Sequence, residues 1–495
     1  MRGATTIDFL ARFFLVFGLY GVALVVVHRY PATRGRGSPD AKSAYADLPP
    51  ADEGRLRVVV GAVVRKPTLV STADTTALWF FAIAFRVVLL FSPPTLSDDV
   101  YRYLWDGHIQ NAGINPYAYR VDAPELDALA TPARGLVNNA WMASPYLPVA
   151  QIYFAAGYRL APESVTVFQV GAMVFDLASG LFLTLTLRRI GLPAAHAMIH
   201  LWNPLAITEV AHGAHVDALM TMLMMAALWL FGHPPAGSKT CGRVCASAIL
   251  LGLATLVKPI PALLVPALMW RWGWKRALLY AAIVAAGIAA YANAGLGLEG
   301  ELSGTGVFGA TRIYLSRWNF NGGLFHWLEV ALTGVQTPGA VPIESAGPGG
   351  QAARSIVLGA LVVAMIGAAF KAKRVSDVPA LFRIALLPLG AYVLFATTIN
   401  PWYLLPIIAV LPFQVVTTSV VKPCATKVAT TATAAWLYFS AAVTLSYLTY
   451  LDPLNLRETY EVRAIEYLPL YAGLLAAGVV SVMKRLTRRS AASTA

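Results

Sequence analysis

Two adjacent acids, a cation and a third acid crowd one short stretch of this chain, Ser97-Asp-Asp-Val-Tyr-Arg-Tyr-Leu-Trp-Asp-Gly107. A carboxylate at Asp98 or Asp99 can take the proton of a hydroxyl as that oxygen attacks an electrophilic carbon. Tyr101, Arg102, Trp105 and Asp106 add the aromatic faces and hydrogen-bonding groups that hold a sugar. Ser97 reads as a helix cap, and helical spacing sets Asp98 against Arg102 and Arg102 against Asp106 at i,i+4. The plainer reading is a capped surface helix with ordinary ion pairs. It leaves unexplained why two neighbouring acids should follow an apolar run directly, since acids are costly near hydrocarbon. A divalent metal at Asp98 and Asp99 is possible.

Other groups could serve the same chemistry. Lys258, between two apolar runs and followed by Pro259, either snorkels to the membrane surface or meets an anionic phosphate. Arg312 and Arg317, near Tyr314 and Trp318, are phosphate candidates or solvated loop cations. His212, His215 and Asp217 allow three readings: a metal site, polar contacts to sugar or phosphate, or polar residues at a helix end. Glu209 is a spare acid beside them. Asp176 falls inside an apolar run without an ionisable neighbour in sequence, and is expected to be structural.

The elements that position these groups are membrane helices. Hydrophobic residues make up 57% of the 495 and charged residues 13%, whereas soluble domains carry roughly 25% charged residues. Apolar runs at 9–27, 77–91, 165–187, 194–210, 216–231, 246–257, 260–270, 277–292, 356–370, 378–397, 403–420, 428–448 and 468–483 give about thirteen spans. The net charge of +13 lies in clusters at the ends of these runs, which signals topology and anionic lipid rather than nucleic acid. Threading the spans with the N-terminus outside places the basic clusters inside. The same threading gathers Asp98, His212, Lys258, Arg312 and the Asn400-Pro401-Trp402 turn on the outer side. No internal repeat of the transporter kind is visible. The three cysteines suit free thiols rather than a disulfide framework.

The run from Ser97 to Tyr117, ending Gly-Ile-Asn-Pro-Tyr, resembles the first outer loop of the GT-C superfamily of polytopic glycosyltransferases, in particular bacterial mannosyltransferase-like members that use polyprenyl-phosphate sugars. Trp202-Asn-Pro-Leu205, His212-Gly-Ala-His-Val-Asp-Ala218, Leu256-Val-Lys-Pro-Ile-Pro261 and Asn400-Pro-Trp-Tyr403 are similar to later pieces of that group. The resemblance implies an all-α polytopic fold with short helices in the outer loops. Residues 1–75 form a leading span and basic cytoplasmic loop, and 76–495 the catalytic domain. It also implies that Asp98 or Asp99 is catalytic, and that Trp402 and Tyr403 join the substrate contacts. The expected reaction is inverting transfer of one sugar, mannose by family analogy, from a polyprenyl-phosphate donor to a glycan or lipid acceptor. It is placed at the outer face of a bacterial plasma membrane. Ser144-Pro-Tyr-Leu-Pro148 departs from a Tyr-Pro-Pro motif of such proteins at Leu147. A transporter or flippase of a lipid-linked sugar is the competing expectation.

Overall fold

A computed structural model describes residues 2–29, 72–232, 239–299, 304–334, 348–375, 377–415, 423–451 and 460–493. The basic loop between the first two spans, residues 30–71, lies outside the described residues, and the expected boundary at 75/76 falls within the helix Thr72–Leu90. Helices dominate, and among the described residues the only β pairing is two isolated bridges from Phe320 and Asn321 to Thr398. Among the described residues, five helices are long and apolar enough to cross a membrane, at Thr6–Val25, Val165–Arg189, Gly349–Lys373, Val378–Phe395 and Glu461–Met483, and shorter apolar helices lie among them. Their outward faces carry large apolar side chains, such as Val88 at 71% and Leu475 at 69% exposure. Surfaces of this kind belong against lipid. The chain is an integral membrane protein.

The first helix, α1 (Arg2–Arg29), packs on the body rather than standing apart. Tyr20 Oη donates to the Ile199 carbonyl at 2.9 Å, and Phe9 meets Tyr447 edge to face. Next, α2 (Thr72–Leu90) carries Arg86 into the apolar interior. The short α3 (Asp99–Asn111) then lies against α4 (Pro148–Leu160), followed by the long α5 (Val165–Arg189). Gly107 makes the α3–α4 approach possible: a Cβ there would lie 2.8 Å from Tyr158 Cβ, inside any normal carbon contact. Asp98, not Ser97, is the N-cap of α3, and Ser97 Oγ accepts the Asp99 N–H at 3.2 Å.

Asp176 on α5 is structural, as expected, and its ionic partners come from distant parts of the chain. Arg86 donates to its Oδ2 from Nε at 2.9 Å and from Nη2 at 2.5 Å, while His200 Nε2 lies 3.0 Å from Oδ1. Arg86 Nη1 donates to the Ala82 and Leu201 carbonyls. A buried charge needs such pairing and hydrogen bonding, and this set ties α2, α5 and the following segment together.

That segment is not the continuous span expected over 194–210. A 3-10 turn (Ala194–Ala197), one α-turn (Met198–Leu201), another (Pro204–Ile207) and a π-turn (Thr208–His212) succeed one another. Pro204 supplies no N–H, so the helix cannot run through it. Asn203 Oδ1 instead accepts the Leu205 and Ala206 N–H groups at 3.0 and 3.4 Å, the arrangement of an N-cap. Ala214, at φ 57°, turns the chain into α6 (Asp217–Phe231). Helices α7 (Lys239–Thr255) and α8 (Val265–Trp272) are likewise separate pieces, broken around Lys258-Pro259. The rest follows as α9 (Trp274–Ala289), α10 (Gly309–Arg317), α11 (Gly323–Thr333), α12 (Pro348–Lys373), α13 (Val378–Phe395), α14 (Leu405–Val410), α15 (Pro423–Ala442) and α16 (Tyr460–Ser493).

Candidate active site

The broken elements converge on the first turn of α3. Loop-to-loop hydrogen bonds hold them: Val149 N–H donates to the Leu256 carbonyl at 2.9 Å, Ala143 N–H to Gly304 at 3.1 Å, and Gly306 N–H to Tyr117 at 2.8 Å. These place the α4 entry beside the Lys258 break, and the loop before α10 beside both.

Asp99 stands at this convergence with 15% of its side chain exposed. Its Oδ2 accepts from Tyr146 Oη at 2.9 Å, and its Oδ1 accepts from Asn138 Nδ2 at 3.1 Å. Two neutral donors thus fix the carboxylate and leave it partly exposed. His215 Nδ1 lies 3.7 Å from the same Oδ2, with its ring stacked on Trp402 at a centroid distance of 3.7 Å and 15° between planes.

Lys258 lies over the ring face of Tyr146. Its Nζ lies 5.7 Å from the Tyr146 ring centroid and 4.8 Å from that of Tyr403, within cation–π range. One N–H goes to Asp217 Oδ2 at 2.5 Å; Asp217 is wholly buried and Lys258 keeps 13% exposure. An ammonium has three donors, so the buried partner positions this cation without exhausting it. Tyr146 therefore touches both the acid and the cation, and burial pushes its own hydroxyl well above the usual phenol range.

Of the expected site residues, Asp99, His215, Asp217, Lys258, Trp402 and Tyr403 come together here. Arg102 does not face the opening. Buried, it donates to the carbonyls of Asn138, Asn139 and Met142 at 3.0, 3.0 and 3.2 Å, clamping the loop that carries Asn138. The i,i+4 ion pair expected between Arg102 and Asp106 is replaced by this clamp. Asp106 is also internal. Its Oδ2 accepts from Ser144 Oγ at 2.5 Å and Gln151 Nε2 at 3.0 Å, and burial raises its proton affinity against the opposing pull of Arg102. Trp105 is fully buried under the Arg134 guanidinium, and Tyr101 packs at the edge of the same cluster. These residues build the ledge on which Asp99 stands.

His212 is turned to structure as well. Its Nε2 accepts the Thr95 N–H at 3.1 Å, which makes that nitrogen a lone-pair acceptor and fixes the loop before α3. Burial holds this imidazole below its ordinary pKa. Arg312 donates to the Gly297 carbonyl at 2.9 Å, whereas Arg317, at the C-terminal end of α10, stays half-buried beside the Tyr314–Trp318 stack. Among the described residues, no three or more His, Cys, Asp or Glu side chains group so as to hold a metal ion.

Sequence reasoning passed over Tyr146 and Asn138 as ligands of the acid, and over the buried pair behind it. Glu209, left as a spare acid, accepts from Tyr447 Oη at 2.8 Å and lies 3.3 Å from His215 Nε2. The Ser144-Pro-Tyr segment was the available signal for Tyr146. Nothing local points to Tyr447, which is 238 positions from Glu209.

Residues 54–274 match the family model of the alpha-(1->6)-mannopyranosyltransferase N-terminal domain. The chain is 27% identical over 211 residues to alpha-(1->6)-mannopyranosyltransferase A of Mycobacterium tuberculosis, covering 40% of this chain and 36% of that one. It is 29% identical over 238 residues to a probable alpha-(1->6)-mannopyranosyltransferase of Mycolicibacterium smegmatis, covering 40% of each. The matches thus span well under half the length of these curated relatives. Among solved structures, ArnT from Cupriavidus metallidurans aligns with a TM-score of 0.44 bound to undecaprenyl phosphate and 0.45 in the apo state. Identities are 14% and 15%; both alignments cover 82% of this chain, and 77% and 76% of ArnT. At that level the likeness carries no argument about this site. The region that resembles the alpha-(1->6)-mannopyranosyltransferase N-terminal domain contains Asp99, Tyr146, Glu209, His215, Asp217 and Lys258.

Proposed function

We propose that this protein is a GT-C-type membrane glycosyltransferase that moves one sugar, a mannosyl residue, from a polyprenyl-phosphate donor to an acceptor hydroxyl. Asp99 removes the hydroxyl proton as the oxygen attacks the anomeric carbon. The bond from that carbon to the phosphate oxygen breaks, and its electron pair leaves with the lipid phosphate. One displacement inverts the centre. The leaving group is already anionic, so it calls for cations rather than an acid, and Lys258 meets it. This step requires no divalent metal at Asp98 and Asp99. The pocket faces the outer side of a bacterial plasma membrane, as the basic clusters suggest, where the acceptor is a glycan or glycolipid.

The single observation that carries this reading is Tyr146. It holds Asp99 at 2.9 Å by its hydroxyl and presents its ring to Lys258, so a base and a phosphate-seeking cation share one pocket. The competing reading, a flippase, wants uncommitted charge within the membrane. Asp176 is instead paired with Arg86 and approached by His200. The test is the purified protein in lipid nanodiscs with polyprenyl-phospho-mannose and a mannoside acceptor. Stoichiometric release of polyprenyl phosphate and mannosylated acceptor is expected. Donor scrambled across proteoliposomes without bond cleavage would make it a flippase.

A further inference from the structure

A buried imidazole behind the proposed base stands between two carboxyls, and the base alone does not account for it. His215 is wholly buried, yet neither ring nitrogen has a formed hydrogen bond. Buried polar atoms without partners are rare and ask for a reason. Here each nitrogen faces a carboxyl oxygen: Nε2 is 3.3 Å from Glu209 Oε2 and Nδ1 is 3.7 Å from Asp99 Oδ2. Catalytic hydrogen bonds are often long before substrate arrives. Trp402 fixes the ring plane from one side, and Gly213 allows the close fit, since a Cβ there would sit 2.7 Å from His215 Cδ2. Tyr447 donates to Glu209 at 2.8 Å and is itself packed against Phe9 of α1.

We infer that Glu209 is a positioning residue for the proposed transfer: as a neutral carboxylic acid it donates to His215 Nε2, and so locks the imidazole with Nδ1–H directed at the Asp99 carboxylate. The inference rests on the reading of Asp99 as base. Glu209 sits in the short π-turn rather than in one of the apolar helices that could cross a membrane, and its surroundings favour the protonated form. Burial, with the nearby charges of Asp217 and Asp99, pushes the Glu209 carboxyl up to about 8 against the opposing hydrogen bond from Tyr447. Burial, Lys258 and His212 hold the His215 imidazole well below its ordinary value, so it is neutral. A neutral imidazole has one N–H to give. Which nitrogen carries it is decided by whether Glu209 donates or accepts.

The pH dependence follows from that choice. Below about 8, Glu209 keeps its proton, Nε2 accepts, and Nδ1–H supports Asp99. Above it, both Glu209 oxygens become acceptors and draw the ring proton to Nε2. The Nδ1 lone pair then opposes the Asp99 carboxylate, and the base is displaced. The other groups facing this chain are Tyr447, Tyr146, Tyr403, Lys258, Asp217 and His212. Burial, with the charge of Asp99, raises the hydroxyls of Tyr103, Tyr146 and Tyr314.

The test is kcat against pH from 6 to 10 for the full-length protein and its Glu209→Gln and Glu209→Ala variants, with infrared spectra of the same samples. For one titration at about 8, the wild-type rate falls roughly fivefold from pH 8 to pH 9. Glutamine can donate to Nε2 and accept from Tyr447 but cannot titrate, so Glu209→Gln retains about half the neutral-pH rate and loses the alkaline limb. Glu209→Ala falls roughly 10–100-fold throughout. The infrared carboxylic-acid band present at pH 7 and missing in Glu209→Gln should titrate with its midpoint near 8. An unchanged alkaline limb in Glu209→Gln overturns the lock, as does a Glu209 already ionised at pH 7. A wild-type protein that transfers no sugar sinks the transferase reading instead, and the infrared arm still decides the lock.

Discussion

The Lys258–Asp217 pair allows structural and chemical roles to be separated by one set of variants. Lys258 Nζ and Asp217 Oδ2 are 2.5 Å apart, with 13% and 0% side-chain exposure. Lys258→Met leaves a wholly buried carboxylate without its counter-charge, and breaking such a pair from one side costs about 3–5 kcal/mol. Replacing both partners, Lys258→Met with Asp217→Asn, removes the orphaned charge and should recover most of that stability. Transfer behaves differently, because the phosphate still lacks its cation. A group that stabilises leaving charge is worth about 10²–10³ in kcat, roughly 2.7–4 kcal/mol. The double variant should therefore unfold close to wild type in a detergent melt yet stay at least about 100-fold slower in transfer. The melt is best read as a rate of irreversible unfolding. Transfer restored together with stability would refute the phosphate role and leave Lys258 a structural residue.

Three further outcomes follow from the geometry. Gly107→Ala should destabilise by about 1–3 kcal/mol, read as an earlier melt, because the new Cβ forces α3 from α4 near Phe154 and Tyr158. Asp176→Ala should cost about 3–5 kcal/mol by stranding the buried Arg86 guanidinium, with little effect on the donor KM of protein that remains folded. Transfer should withstand EDTA, since the proposed step uses the side chains described; complete loss, restored by added divalent ion, would require a metal near Asp99.

The sequence carried the class plainly. Apolar runs and basic ends spell a polytopic membrane protein, and Ser97 to Gly107 points to the acid that stands in the pocket. Local spacing failed where the partner was distant. Arg102 and Asp106 have the separation of an ion pair, but Arg102 meets carbonyls 36 to 40 positions later and Asp106 meets Ser144 and Gln151. Both are satisfied inside the ledge because α3 is sandwiched, so a helix that looks amphipathic-polar in sequence is buried on nearly every side. Arg86 sits in an apolar run and gains meaning only through Asp176, 90 positions on. Continuous apolar composition over 194–210 likewise suggests one helix, whereas Asn203-Pro204 breaks it and aims Glu209 and His215 at the pocket.

The most direct measurement is a single-turnover comparison of wild type with Asp99→Asn and Asp98→Asn, using polyprenyl-phospho-mannose bound at saturation. Asparagine at 99 keeps the side-chain shape and removes the basic oxygen. The bond-breaking step should slow by about 10²–10⁴ with donor affinity within about threefold, while Asp98→Asn, at the N-cap position of α3, stays within about tenfold. Unimpaired single-turnover transfer in Asp99→Asn would contradict the account at its centre.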